Sequence, residues 1–413
     1  MNLDNERRDR MNFFYRLWCR TYQTVFKIAW PFIALREPTL LSGPGSLQKL
    51  PEIVKTKGID RILLVTDGGL VKAGLVAPLV ERFTREGVGV TVYDGTVPNP
   101  TIDNIEEAYA IYLKVKAQGL VALGGGSAMD VAKAVGARVV NPKKTIRQMK
   151  GVLKVHRDLP PLFAIPTTAG TGSEATLAAV VTDAKTKEKY AINDPVLVPA
   201  MAVLDPRLTV SLPKHITSTT GIDALTHAVE AYIGRGNTQK TRKHARKAVH
   251  LIFHNLERVF QNGEDIGARS AMQLAAYEAG LAFTRAYVGN VHAIAHTLGG
   301  FYHVPHGLAN AVILPYVLDF YGPRAAGALA ELSFEAGVGR SEDSQAKNAE
   351  RFIAAIRDLN ARLGIPSKIV DTIKDEDLDP MIDRAMAEAN PLYPVPVIMD
   401  RRDFRAIYEA IRR

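Results

Sequence analysis

The sequence predicts an α/β domain built on a parallel sheet, followed by an all-helical domain. Three observations predict this. From Pro38 to about Asp205, short apolar runs alternate with longer amphipathic stretches, the pattern of repeated βαβ units. Two of the apolar runs end in loops rich in glycine and hydroxyl residues. Beyond Asp205 the strand signals fade, and the rest of the chain reads as successive amphipathic helices. At 413 residues the chain is long enough for two domains and a large core. The expected boundary lies at 207–213. It separates an extension at 1–37, an α/β domain at 38–209 and a helical domain at 210–413.

Composition narrows the function classes. Hydrophobic residues make up 47% and charged residues 23%, an ordinary balance for a soluble globular enzyme. The single cysteine, Cys19, excludes an intrachain disulfide and a cysteine-built zinc site, and is compatible with a reducing, cytoplasmic setting. A net charge of +9 permits attraction to anionic lipid or acidic substrates. Nucleic acid is not expected as a partner, because there is no aromatic-basic RNA motif and no helix-turn-helix signal.

Residues 8–30 read as a basic amphipathic helix stopped by Pro31. Phe14, Trp18, Tyr22, Val25 and Ala29 recur at threes and fours, while Arg16, Arg20 and Lys27 lie towards other faces. The stretch is too charged and too short to span a bilayer, and it lacks the cleavage site of a secretory signal. Its apolar face is expected to pack on its own chain, on a second subunit, or on a membrane surface.

Strands are expected at 39–42, 61–66, 88–93, 119–123 and 162–165, with helices between them. The fourth strand runs into Gly124-Gly125-Gly126-Ser127. Glycines there allow a tight turn and close approach of a ligand, and the following helix offers free N–H groups to a phosphate. The alternative is a plain strand-to-helix connection. The fifth strand ends in Pro166-Thr167-Thr168-Ala169-Gly170-Thr171-Gly172-Ser173-Glu174. Two such loops at strand carboxyl ends make a dinucleotide crevice the better reading. Asp67 ends the second strand, where an acid can accept from ribose hydroxyls and repel a 2′-phosphate, favouring NAD over NADP. Its alternative role is an Asx turn before Gly68-Gly69.

In the helical half, Asp223 and His227 are four residues apart, and so are His292 and His296. Each pair shares one helix face and can aim two ligand-type side chains at one point. His306 lies between Pro305 and Gly307, in a loop or at a helix start. One carboxylate and several imidazoles suit divalent iron or zinc. Lys240, Arg242, Lys243, Arg246 and Lys247 read as a solvated helix face.

Taken together, these motifs resemble the iron-containing (group III) alcohol dehydrogenase family. The resemblance covers about residues 38–413. It is carried by Gly124–Ser127 with Asp130 and Lys133, by the run at 166–174, by Gly221-Ile-Asp-Ala-Leu-Thr-His-Ala-Val-Glu230, and by His292 to His296 through Pro305-His306-Gly307. It implies a Rossmann-like domain and a helical domain of the dehydroquinate synthase-like architecture, with the active site in the cleft between them. It implies that Asp223, His227, His292 and His306 hold iron(II), a set that also accepts zinc, and that His296 relays protons without being a ligand. It places Asp67, Asn99, Gly125, Gly126, Ser127, Thr167, Thr168, Thr171 and Lys189 at cofactor contacts. The implied activity is reversible, NAD-linked oxidation of alcohols or reduction of aldehydes, by a homodimer. Two departures stand out. Residues 1–37 extend beyond the shorter members. Leu177-Ala178-Ala179 stands where diol-reducing members carry a polar side chain, which favours an apolar primary alcohol. Two alternatives keep some of these features: a glycerol-dehydrogenase-like polyol oxidoreductase of the same fold, and a peripheral membrane or assembly protein recruited by its N-terminal helix.

Overall fold

The structure is a computed structural model that describes residues 13–29, 33, 35–186, 188–370 and 372–412. Two compact units emerge. One, the sheet unit, comprises Ala34–Leu212 and Gly263–Gly280. The other, the helical unit, comprises the helix Phe13–Ala29 with Pro213–Asn262 and Leu281–Arg413. The first segment of the sheet unit ends at Leu212, and the helical unit takes up the chain at Pro213. Gly263–Gly280 groups with the sheet although it lies within the predicted helical half, and the helix Phe13–Ala29, expected as part of a separate extension, groups with the helical unit.

The sheet unit holds a six-stranded, all-parallel sheet. Its strands are β1 (Thr39–Ser42), β2 (Arg61–Val65), β3 (Gly89–Tyr93), β4 (Gly119–Gly124), β6 (Leu162–Pro166) and β9 (Met201–Leu204), in the order β1-β9-β6-β4-β2-β3. The chain winds from β2 outward to β3, then returns across β2 to lay down β4. The carboxyl ends of β2 and β4 therefore flank the point where the winding reverses, which is where open α/β sheets bind ligands. β4 and β6 are buried at every position, as a strand covered on both faces must be. One apolar layer includes Leu63, Val65, Leu120, Ala122 and Met129, and the other Ile62, Leu64, Val121, Leu123 and Phe163.

A second sheet has three strands, β5 (Gly151–Val152), β8 (Glu188–Asn193) and β7 (Ala178–Asp183), the last two following the Thr-Thr loop. The sequence reading does not anticipate it. Glu188–Asn193 is a polar run whose alternate residues, Tyr190 and Ile192, supply its only buried apolar contacts.

The sheet unit carries α1 to α5 of the crossover layers. They are α1 (Leu50–Thr56), α2 (Gly68–Lys72), α3 (Ala77–Arg85), α4 (Ile102–Lys114) and α5 (Gly126–Val140). The helical unit holds αN (Phe13–Ala29), α6 (Lys214–Ile233), α7 (Gln239–Gln261), α9 (Asn290–Tyr302), α10 (His306–Tyr321), α11 (Ala326–Glu335), α12 (Gln345–Arg362), α13 (Asp375–Ala389) and α14 (Arg401–Arg412). Helix α8 (Ile266–Ala286) falls within the sheet unit as far as Gly280. Helix α6 is buried from Gly221 to Ile233 on all faces, so any polar side chain there must find a partner inside the protein.

Helix αN occupies the described part of the predicted 8–30 stretch; the rest lies outside the described residues. Among the described residues no helix is long and apolar enough to cross a membrane.

Candidate metal centre and dinucleotide site

In the helical unit, Asp223, His227, His292 and His306 come together. Their ligand atoms all lie within 4.8 Å of one another, and the first three residues are buried. Helix α6 supplies Asp223 and His227 one turn apart, α9 supplies His292, and His306 is the first residue of α10. Gly307 explains why the third element can come so close. A Cβ at Gly307 would stand 2.4 Å from the Thr219 carbonyl oxygen on α6, so any larger residue pushes α10 and His306 away. The imidazoles of His227 and His292 stack at 4.5 Å, and Phe283 covers the other face of His227 at 4.2 Å.

Buried partners orient the donors. Glu230, three residues past His227 on α6, accepts the Nδ1 hydrogen of His292 at 2.6 Å and the backbone N–H groups of Gly289 and Val291 at 2.8 Å each. A carboxylate only accepts, so Nδ1 carries the proton and Nε2 turns its lone pair to the cluster. Asn310, one turn beyond His306, donates from Nδ2 to Asp223 Oδ1 at 2.6 Å. That nitrogen is 3.2 Å from Nε2 of both His292 and His306. The Asn310 Oδ1 atom is buried without a hydrogen-bond partner. Four convergent donors, a fixed tautomer and a buried polar atom left over are what a cation fills, and one carboxylate with three imidazoles fits divalent iron or zinc.

His296 stands apart from that set. Its ring stacks on His306 at 5.1 Å, while Nδ1 donates to Glu388 Oε1 on α13 at 2.6 Å. The Tyr393 hydroxyl donates to the same oxygen at 2.7 Å. Burial raises the Glu388 pKa, but the His296 charge and the hydrogen bonds from His296 and Tyr393 outweigh it and hold the carboxyl below its usual value. Burial first, then Glu388, push the Tyr393 hydroxyl well above its ordinary range, so it stays a donor. Helix αN reaches this chain from behind. Gln23 Nε2 donates to the Tyr393 carbonyl at 2.8 Å and the Pro391 carbonyl at 3.1 Å.

Glu230, Asn310, Glu388 and Tyr393 escape the sequence reading as functional residues. A signal existed for two of them: Glu230 continues the Asp223–His227 face, and Asn310 is at i+4 from His306. Glu388 and Tyr393 carry no spacing signal, because tertiary packing alone brings them to His296.

The sheet unit gathers the other predicted residues. β2 pairs with β4, and β4 with β6, so the segments after all three strands lie side by side. Gly125 caps α5 without a side chain, leaving the N–H groups of Gly126 and Ser127 in its first turn for an anion. The Thr167 N–H donates to the Gly124 carbonyl at 2.9 Å. Thr168 and Thr171 stand against Gly125 and Gly126, within 4 Å of where a Cβ would lie on each. Gly172 holds φ at 60°, and a Cβ there would meet the Ala276 carbonyl at 2.6 Å, so this loop accepts only glycine as it turns under α8.

Asp67 takes the turn role. Its Oδ1 accepts from the Gly69 and Leu70 N–H groups, capping α2, while its Oδ2 faces Gly124. Asn99 and Lys189 are brought together: Lys189 Nζ donates to Asn99 Oδ1 at 2.9 Å, with Asn99 in the left-handed region at φ 55°. The segment carrying Asn99 runs next to Asp67, since Gly95 bridges to it. Leu177 and Ala179 are buried, and Ala179 belongs to the apolar layer beside β4.

One buried cation ties the two loops together. Lys133 of α5 is fully buried and donates to the Ser173, Thr176 and Ala178 carbonyls and to the Ser173 and Thr176 hydroxyls, at 2.7 to 3.0 Å. Ser173 Oγ in turn donates to Asp130 Oδ1 at 3.1 Å. Burial pulls the ammonium down to about 8, opposed by the charges of Asp130 and Glu174.

The Asp67 geometry yields a testable outcome. Asp67→Ser keeps a capping oxygen but removes the charge, so the preference for NAD over NADP is expected to fall by ~10-fold or more with little loss of stability. The ratio of kcat/KM values for the two cofactors measures it, and an unchanged ratio means Asp67 serves only as a cap.

Comparison with known proteins places this geometry. Residues 38–206 match the model of the iron-containing alcohol dehydrogenases, and residues 217–412 match that of the C-terminal region of the Fe-containing alcohol dehydrogenase family. Alcohol dehydrogenase 4 of Schizosaccharomyces pombe is 37% identical over 381 residues, covering 90% of this chain and 89% of its own. The structure of an alcohol dehydrogenase from Oenococcus oeni superposes with a TM-score of 0.88 at 35% identity, covering 92% of this chain and 100% of its own. Sulfoacetaldehyde reductase from Bifidobacterium kashiwanohense, solved with NAD+, superposes with a TM-score of 0.82 at 28% identity, covering 92% of this chain and 98% of its own. The chain belongs to the iron-containing alcohol dehydrogenase family and is an alcohol oxidoreductase.

Proposed function

We propose that this protein interconverts an apolar primary alcohol and its aldehyde by reversible hydride transfer with NAD. The observation that carries the reading is the convergence of Asp223, His227, His292 and His306, oriented by Glu230 and Asn310. A divalent iron held there supplies the positive charge that favours loss of the alcohol proton and polarises the aldehyde carbonyl. The protein's own groups do the rest. Glu230 keeps His292 in the donor tautomer, and Asn310 fixes the Asp223 carboxylate. His296, held by Glu388 and Tyr393, carries the released proton away from the reacting oxygen. The glycine turn at 124–127 and the Thr167–Thr171 loop hold the phosphates, and Asp67 selects NAD. The cofactor provides the redox chemistry, and the protein provides position and charge.

The apolar preference rests on Leu177-Ala178-Ala179, which offers no side-chain hydroxyl, amide or charge to a second substrate hydroxyl. A missing hydrogen-bond partner discriminates strongly against a polyol. Hexanol is therefore expected to exceed glycerol and 1,2-propanediol in kcat/KM by ~10-fold or more. NADH formation across the three alcohols measures this, and a higher value for either polyol overturns the preference.

A further inference from the structure

Helix αN is turned in an unusual direction. Its polar side faces the protein. Arg20 donates to the Val395 and Pro396 carbonyls at 2.7 and 2.9 Å, Gln23 to Pro391 and Tyr393, and Lys27 to the Arg235 carbonyl at 2.7 Å. Arg16 pairs with Asp400 at 3.2 Å. Cys19 is the side chain most buried beneath the helix. The apolar side faces out: Phe13, Phe14, Leu17, Trp18, Val25 and Ile28 are each between 51% and 76% exposed. The inward hydrogen bonds fix this orientation, so the helix cannot roll its aromatic face into the protein without breaking them.

Apolar surface held outward in this way needs an occupant. The area argues against a second copy of the helix. Aromatic side chains carry roughly 150–250 Å² each and the aliphatic ones somewhat less, so the six offer on the order of 700 Å² at most at their observed exposure. Covered completely on two copies it would total about 1,400 Å², little above the ~1,200 Å² of the smallest stable dimers, and helices that cross leave part of each face uncovered. A lipid surface covers the whole face at once. Trp18 and the phenylalanines are residue types that settle at the headgroup boundary. Cations lie along the flank where the helix meets the protein: Lys27 and Arg285 line a groove with Gln23, Phe26, Gly236 and Thr238, and Arg235 beside Lys27 is exposed. The chain carries a net charge of +9.

We propose that the outward face of helix αN docks on an anionic membrane surface, lying in the headgroup plane without spanning the bilayer. The protein provides its own probe, since its two tryptophans, Trp18 and Trp30, both lie in this region of the sequence. The test mixes the full chain with vesicles of phosphatidylcholine alone or with about one third phosphatidylglycerol, and reads flotation and tryptophan emission. The full chain is expected to float with the anionic vesicles at least ~10-fold more than with neutral ones, with blue-shifted emission that salt reverses. Phe14→Ser, Leu17→Ser and Ile28→Ser combined keep both tryptophans and lie away from the metal centre and its partners. This variant is expected to keep NADH formation while losing flotation. Failure of the full chain to float, or equal flotation by the variant, overturns the proposal. So does a dimer in sedimentation equilibrium that the same three substitutions dissociate, because the face then belongs to a second copy. None of these outcomes touches the enzymatic reading, which the retained NADH formation tests separately.

Discussion

His306→Ala is expected to empty the metal centre and lower kcat/KM by ~10³-fold, whereas His296→Ala keeps the metal and lowers kcat by ~10² to 10⁴-fold. The two imidazoles stack at 5.1 Å, yet the structure gives them different neighbours. His306 converges on Asp223, with its Nε2 3.6 Å from Oδ1. His296 is tied to Glu388, and Tyr393 donates to that same carboxylate. Removing His306 takes away one of four donors and several kcal/mol of charge stabilisation, at 1.36 kcal/mol for each tenfold. In the proposed function, removing His296 takes away only proton transfer. Iron per chain by elemental analysis, read beside NADH formation, separates the two. Equal metal loss in both variants contradicts the ligand assignment.

Lys133→Met is expected to cost ~3–5 kcal/mol of stability and to weaken NAD binding by ~10-fold or more, although Lys133 is fully buried and presents no surface to a cofactor. Methionine fills much of the volume but donates nothing. Three carbonyls and two hydroxyls lose their donor, and Asp130 loses the charge that opposes its burial. Burial already raises the Asp130 pKa to about 6, with Lys133 the first of the influences lowering it. The segment from Ser173 to Ala178 is held to α5 by this ammonium together with the Ser173–Asp130 hydrogen bond, so loss of the ammonium loosens the end of the loop whose Thr168 and Thr171 stand against the glycine turn. A lower melting temperature together with a higher NAD dissociation constant is the expected pair of readings. An unchanged melting temperature contradicts the account of Lys133.

Much of the fold was legible because its signals are local. Buried runs such as Arg61–Val65 and Leu162–Pro166 end in glycine or hydroxyl turns, and periodicity carries the helices from α6 onward. The parts that were not legible depend on neighbours. Met201–Leu204 is only four residues long, yet it lies between β1 and β6 in the sheet. Gly263–Gly280 reads as one more helix. Gly280 lets it approach the Thr-Thr loop, a Cβ there standing 2.6 Å from the Gly172 carbonyl, and Gln273 donates to the Pro166 carbonyl. These contacts group it with the sheet unit. Helical spacing pointed to His296 as readily as to His292. What separates them is Glu230 behind one ring and Glu388 behind the other, and neither pairing can be read from spacing. For αN, periodicity found an amphipathic helix but not which side the protein would claim. The hydrogen-bonding side packs inward because the Pro391–Pro396 segment presents bare carbonyls that Arg20 and Gln23 satisfy.

The most direct test of the central claim is the metal content of anaerobically purified protein, paired with NADH formation from primary alcohols before and after chelation. The account predicts about one iron or zinc per chain, turnover with NAD, and loss of both on chelation with recovery on adding iron(II). Protein that takes up no metal on reconstitution, or that turns over equally without it, contradicts the account, since Asp223, His227, His292 and His306 then have no shared task.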